Sequence, residues 1–365
     1  MTSAPIEPDT SSISADIRFA DPKLPRWAPY AVLVAAVVLG VGLSLLMGWG
    51  WVAMLCLAGV VYVVAWPLWS AFAEGRRYAV DRLTTSLVWA AFVGVLVPLL
   101  WLVWTVLKNG VPALSWAFVT SDMRNVVGAG GGIYHALIGT LLVTAMAAVI
   151  SVPIGLFAAI YLVEYGQRNR IARWTTFLVD VMTGIPSIVA GLFALSLLVI
   201  LLGPAARNGF GGAIALSLLM IPTVVRSAEE MLRLVPSELR EASYALGVPK
   251  WRTIVKVVIP TALGGIITGV MLAVARVIGE SVPLLVVAGA TDSVNWNLFD
   301  NRMSTLPVYI YQQYASPGIV PLNGGDPPGY ARAWAAALVL IIIVMILNLI
   351  ARIVGAIFAP KTDRR

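Results

Sequence analysis

From Trp27 to Ala73 the chain carries no charged residue. An α-helix rises about 1.5 Å per residue and the hydrocarbon core of a bilayer is about 30 Å thick, so roughly twenty residues cross it once. The run is too long for one crossing and too apolar for water, which makes it two. The Gly48-Trp49-Gly50-Trp51 cluster is the natural turn, with tryptophans at the interface between headgroups and chains. Further apolar runs at 83–107, 134–163, 174–202, 210–225, 259–288 and 333–351 bring the total to about eight. The chain therefore reads as an all-α, polytopic helical membrane protein.

Composition agrees with lipid as the main solvent. Charged residues make up 12% of the chain, whereas soluble domains carry about 25%. With one cysteine (Cys56) and one histidine (His135), a disulfide framework and a multi-residue Cys/His metal site are both excluded. Cys56 lies in an apolar run and reads as a small core-filling residue. A net charge of +7 would suggest nucleic acid if the basic residues formed one patch, but they are dispersed between the apolar runs.

That dispersal sets the orientation. If residues 1–26 are cytoplasmic, the inner connections hold nineteen of the twenty-five Lys and Arg residues and the outer ones five, with Arg276 inside a span. Basic residues favour the cytoplasmic side, so both termini are expected there. Residues 1–26, with Pro5, Pro8, Pro22 and Pro25, read as a disordered tail and lack a basic signal-peptide start. The outer loops 108–133 and 291–332 are substantial. Residues 304–315, with Tyr309, Ile310 and Tyr311, read as an interfacial helix, either touching a partner or capping the outer face on lipid headgroups.

The segment 226–260 between the sixth and seventh spans is too polar for lipid and too patterned for a slack linker. Ser237 reads as an N-cap. Leu239, Ala242, Ala245 and Leu246 share a helical face, Gly247 ends the helix, and Pro249 follows. Lys250 to Ile259 reads as a second amphipathic helix re-entering the membrane. Helix, glycine turn and helix make either a knob that inserts into a partner's cleft or a surface helix that closes the bundle.

Here the chain resembles a known family. Glu241-Ala242-Ser243, then Gly247, then Val257-Val258-Ile259-Pro260 is similar to the EAA loop of ABC-importer permeases, with Ser243 replacing the last alanine. The resemblance implies a type I ABC-importer permease core in which Glu241 to Gly247 is the coupling helix seated on a separate ATPase. Consistent with that, no G-x-x-x-x-G-K-[ST] phosphate loop occurs in the chain. A subunit without catalysis of its own is expected, with no catalytic residue, metal or cofactor in this chain, and with ATP and Mg on the partner ATPase.

Other stretches resemble the PstA-type phosphate permeases in particular. They are Gly130-Gly131-Gly132-Ile133 with His135 through Thr140, Gly184-Ile185-Pro186-Ser187 through Gly191, Arg276 through Leu285 with Glu280 inside it, Thr305-Leu306-Pro307-Val308, and Asn348 through Arg352. The resemblance covers 83–358, leaving 27–82 as an additional two-helix membrane segment and 359–365 as a cytoplasmic tail. It implies a PstC-like sister permease, a PstB-like homodimeric ATPase and a PstS-like external phosphate-binding protein, all at the bacterial inner membrane.

Only Asp180, Arg276 and Glu280 are charged within the expected spans. Each costs about 2.5–3.5 kcal/mol at a helix centre, so each needs a partner or a watery path. Arg276 and Glu280 are four apart and read as neighbours on one helix face. They are either a structural ion pair or a phosphate contact, in which arginine's planar fork meets two oxygens and Glu280 accepts from a protonated phosphate oxygen. Sulfate lacks that proton at neutral pH. Asp180 has the wrong sign for phosphate and reads as a structural partner or gate residue. Gly184, Pro186 and Ser187 mark either a simple proline kink or a broken helix that aims amides and a hydroxyl at an anion.

The expected mechanism is alternating access driven by the ATPase through Glu241, Ala242, Ser243, Gly247 and Pro260. The competing readings are an ABC permease for another anion or small solute, and an ion-coupled secondary transporter, which has no need of the 226–260 knob. A membrane transferase would want clustered carboxylates for Mg, for which Glu229-Glu230 is a weak substitute better read as a solvated loop face.

Overall fold

The computed structural model describes residues 24–166, 169–203, 206–321 and 324–358. Most of the expected N-terminal tail and all of 359–365 lie outside the described residues. Every regular element among the described residues is helical. Seven helices are long and apolar enough to cross a bilayer, and a sharply bent pair makes an eighth. The chain divides into two compact units, Met1–Val103 and Trp104–Arg365.

The first unit begins with a hairpin of α1 (Ala28–Met47) and α2 (Trp51–Ala73). Gly48 supplies the left-handed residue, φ 67°, that closes α1 where an apolar run alone would continue. Ala28, Val32, Ala36, Gly40 and Ser44, four apart, form the buried seam of α1. At Gly40 a Cβ would fall 2.9 Å from the Met54 carbonyl oxygen, so the small seam lets the two backbones meet. Cys56 is exposed, not core-filling: it is not among the residues of α2 buried against α1.

Glu74 closes the turn between α2 and α3 (Arg76–Gly110). Its carboxylate accepts from the Leu24 amide at 2.7 Å, the Ser70 hydroxyl at 2.7 Å and the Arg82 guanidinium at 3.0 and 3.1 Å. The Arg82 guanidinium in turn lies 4.5 Å over the Trp66 ring. These donors, Arg82 first, hold the Glu74 pKa down at about 2 against an ordinary 4.5. A depressed carboxylate contributes stability that is whole above the unfolded value and is lost as pH falls through the folded one. Thermal stability should therefore fall between pH 4.5 and about 2 in the wild type. Glu74→Gln should remove that part of the slope, read by unfolding scans of detergent-solubilised protein.

The second unit is built on α5 (Tyr134–Ile160) and α8 (Gly209–Arg233). Val143, Ala147, Leu216, Met220 and Val224 of this pair are buried with Ala273 and Val277 of α11 (Ile259–Val277) and Leu284 of α12 (Val282–Val287). The last turns of α3, the short α4 (Trp116–Thr120), α13 (Leu306–Ala315) and α14 (Pro328–Phe358) complete this unit.

The runs at 174–202 and 259–288 are not single unbroken helices. The first is α6 (Arg170–Thr183) and α7 (Ser187–Leu202), bent by 109°. Gly184 ends α6, and Pro186, extended at φ −60° and ψ 138°, starts a new direction. The second breaks after Val277, because Pro283 lies in the first turn of α12. By contrast α8 passes the expected end at 225 and runs to Arg233, since Ala228 and Leu232 continue its buried face.

The interfacial helix expected at 304–315 is embedded at its start. Leu306, Pro307, Val308 and Tyr309 of α13 are buried, with the His135 ring 5.4 Å from that of Tyr309. Two stretches singled out in the sequence meet here. A Cβ at Gly139 would overlap the Ser304 carbonyl oxygen, and the Leu306 amide donates to Thr140 Oγ1 at 2.7 Å. Thr140→Val keeps the shape but leaves that buried amide unmet. It should cost about 1–3 kcal/mol in unfolding and raise amide exchange at Leu306.

Candidate functional site

The residues singled out for function fall in two places. The first is a helical knob. α9 (Ser237–Ala245) leads through Leu246–Pro249 into α10 (Lys250–Thr253), a π-helical turn at Ile254–Val258, and α11. Pro236 occupies the N-cap position expected for Ser237, which is the first helical residue, because proline's fixed φ of −56° suits the entry. Gly247 takes φ 71°, as the expected helix end requires. Pro260 opens α11 as one of its first two residues.

Glu241 and Ala242 are exposed on α9, and Leu239, Tyr244 and Leu246 expose 41%, 41% and 83% of their surface. The inner side of the knob is pinned. Ser243 is buried and bonds the buried Thr253 hydroxyl at 2.8 Å, which explains a serine in the place of an alanine. Arg240 donates to the Val235 carbonyl at 2.6 Å, the Leu232 carbonyl at 2.9 Å and Glu164 Oε1 at 3.0 and 3.1 Å. Neither Arg240 nor Glu164 stands out in the sequence, because they are 76 residues apart with no periodic relation.

The second place surrounds the two breaks. Arg226 of α8 bonds Asp180 at the end of α6 and Glu229 at 2.8 Å, and Arg233 bonds Glu229 at 2.6 Å. Asp180 thus fastens the bent helix to α8. Glu229 is a buried residue of α8 clasped by two arginines, not part of a solvated loop face, since the helix continues through it. On the other arm of the bend, α7 rests on α12, where a Cβ at Gly191 would come within 2.8 Å of Pro283 Cα.

Arg276 and Glu280 are not neighbours on one helix face. Arg276 is in the last turn of α11, whereas Glu280 follows the helix end in the Gly279 turn, where its amide donates to the Val277 carbonyl at 3.1 Å. Among the described residues no ion pair joins them, and Arg276 is exposed without an acceptor. Ser187 begins α7. Its hydroxyl, and the amides of Ser187 and Ile188, form no hydrogen bond among the described residues. The bend therefore presents unused donors, as a half-helix start does. No bond joins Ser187 to Arg276.

Residues 151–364 match the family model described as "Binding-protein-dependent transport system inner membrane component". The chain is 48% identical over 282 residues to the "Phosphate transport system permease protein PstA 1" of Mycobacterium tuberculosis (strain CDC 1551 / Oshkosh), covering 76% of this chain and 90% of that protein. It is 45% identical over 293 residues to the "Phosphate transport system permease protein PstA" of Mycobacterium leprae, covering 80% and 92%. The protein of the same title from Haemophilus influenzae is 40% identical over 266 residues, covering 72% and 90%.

Proposed function

Because the chain belongs to the family of binding-protein-dependent transport system inner membrane components, the permease subunits of ABC importers, we propose that it is the phosphate-conducting permease of an ATP-driven importer in the bacterial inner membrane. The observation that carries the mechanism is α9. Its exposed Glu238, Glu241, Ala242 and Ala245 form a docking face, while Arg240 and Ser243 fix its inner side to the membrane helices. A partner that moves α9 moves the bundle.

The assembly comprises this chain, a sister permease, a homodimeric ATPase that holds ATP and Mg, and an external phosphate-binding protein, with both termini of this chain cytoplasmic. Residues 83–358 form the permease core and 27–82 an added membrane segment. Arg276, unpaired among the described residues, faces the pathway completed by the sister permease. There it meets phosphate through its fork, and Glu280 accepts from a protonated phosphate oxygen. Gly184 and Pro186 break the helix so that Ser187 and the first amides of α7 line the same path.

The test is uptake of radiolabelled phosphate into proteoliposomes holding the four components. Uptake that needs both enclosed ATP and the external binding protein is expected. Uptake driven by an ion gradient without ATP would overturn the reading in favour of a secondary transporter.

A further inference from the structure

The chain itself attaches α9 to α8 on one side and, through α10, to α11 on the other. The end of α5 has no such covalent link. What joins it directly to α9 is one carboxylate. Glu164 lies in the π-helical turn Tyr161–Tyr165 that closes α5, with its side chain only 5% exposed. It accepts from Arg240 Nε and Nη2 at 3.1 and 3.0 Å. The same guanidinium donates to the Leu232 and Val235 carbonyls at the end of α8. Lys250, the first residue of α10, donates to the Glu164 backbone carbonyl and lies 4.7 Å over the Tyr165 ring. One arginine and one lysine thus bring the ends of α5, α8, α9 and α10 to a single point.

The local backbone marks the same place. A second π-helical turn, Ile254–Val258, lies between α10 and α11. Each such turn inserts a residue into the helical repeat and weakens the local ladder, which makes it a place where a helix can change pitch. Helices α5 and α11 therefore both reach the knob through a compliant turn. Across the turn of α5, Leu162 and Val163 pack on α8 and the start of α11, and the direct link to α9 is the buried charge pair.

We propose that Glu164 is a positioning residue for coupling: through Arg240 it makes α5 follow α9, so that displacement of the knob reaches α5 as well as α8 and α11. This rests on the reading of α9 as the ATPase-docking element. Glu164 lies behind the docking face, so its loss leaves docking in place while transmission fails. A charge swap is a poor test, because a carboxylate at position 240 would oppose the Leu232 and Val235 carbonyls.

The experiment uses the full complex in proteoliposomes with Glu164→Ala, Glu164→Gln and, as control, Glu241→Arg on the exposed side of α9. ATPase co-purification, ATP hydrolysis and phosphate uptake are each measured. Glu164→Ala should retain the ATPase but import about tenfold less phosphate per ATP, the size of an ordinary coupling free energy. Glu164→Gln, which still offers Arg240 an oxygen, should fall between it and wild type. Glu241→Arg should instead release the ATPase. Wild-type uptake per ATP in Glu164→Ala would overturn the proposal. So would loss of the ATPase from both Glu164 variants, or failure of both to accumulate, since Glu164 would then only support the fold. A Glu241→Arg complex that stays intact and fully coupled would instead sink the docking reading beneath it.

Discussion

Replacing Arg276 with Gln should lower phosphate uptake by about one to two orders of magnitude while the chain still inserts and assembles, since charge-assisted hydrogen bonds are worth about 1.5–3 kcal/mol. The argument begins from cost. A guanidinium at the centre of a membrane helix is unfavourable by about 2.5–3.5 kcal/mol on insertion scales and costs less toward a helix end, where Arg276 lies, and such residues persist where something compensates them. Among the described residues nothing does: Arg276 is exposed and has no acceptor there. Compensation therefore comes from water, from a second chain or from an anion in transit. Gln is two bonds shorter and keeps one NH2 donor group but removes the charge, and insertion becomes easier. If KM and maximal uptake were both unchanged in Arg276→Gln, the residue would lose its place in the pathway.

Gly247→Val should likewise abolish most uptake, for a different reason. At φ 71° a β-branched residue is strained by about 1–3 kcal/mol, enough to redirect the turn that ends α9. No heavy atom lies within 4 Å of a Cβ built there, so the effect is on backbone conformation and not on packing. The order of uptake should be Gly, then Asn, then Ala, then Val, because Asn tolerates the left-handed region best of the three. The chain should remain inserted throughout, as judged by membrane yield. An Ala variant better than Asn, or a fully active Val variant, would show that the turn's conformation is irrelevant to coupling.

The knob was legible because its signals are local. Pro236 and Pro249 punctuate the segment, Gly247 supplies the positive φ, and Leu239, Ala242, Ala245 and Leu246 follow the helical repeat. The hairpin of α1 and α2 was legible for the same reason, through Gly48 between two uncharged runs. Hydropathy, however, reports how long an apolar run is and not whether it is straight. It carried 174–202 and 259–288 through breaks whose signals, Gly184-Ile185-Pro186 and Gly279 to Pro283, were in view. The second of these misplaced Glu280, because i,i+4 spacing means a shared face only while the helix lasts. Asp180 with Arg226, and Glu164 with Arg240, were out of reach entirely. Charge pairs 46 and 76 residues apart leave no periodic trace and are set by how α6 and α5 pack. The meeting of Gly139-Thr140 with Ser304-Leu306 is of the same kind: each stretch was visible alone, their contact only in three dimensions.

The measurement that tests the central claim most directly is uptake of radiolabelled phosphate at micromolar concentration in cells lacking this chain, with excess sulfate as competitor. Strains carrying the wild-type chain, the Glu241→Arg chain and none would be compared. Sulfate-resistant uptake that returns only with the wild-type chain is the expected result. Phosphate uptake of equal rate in all three strains would contradict the account.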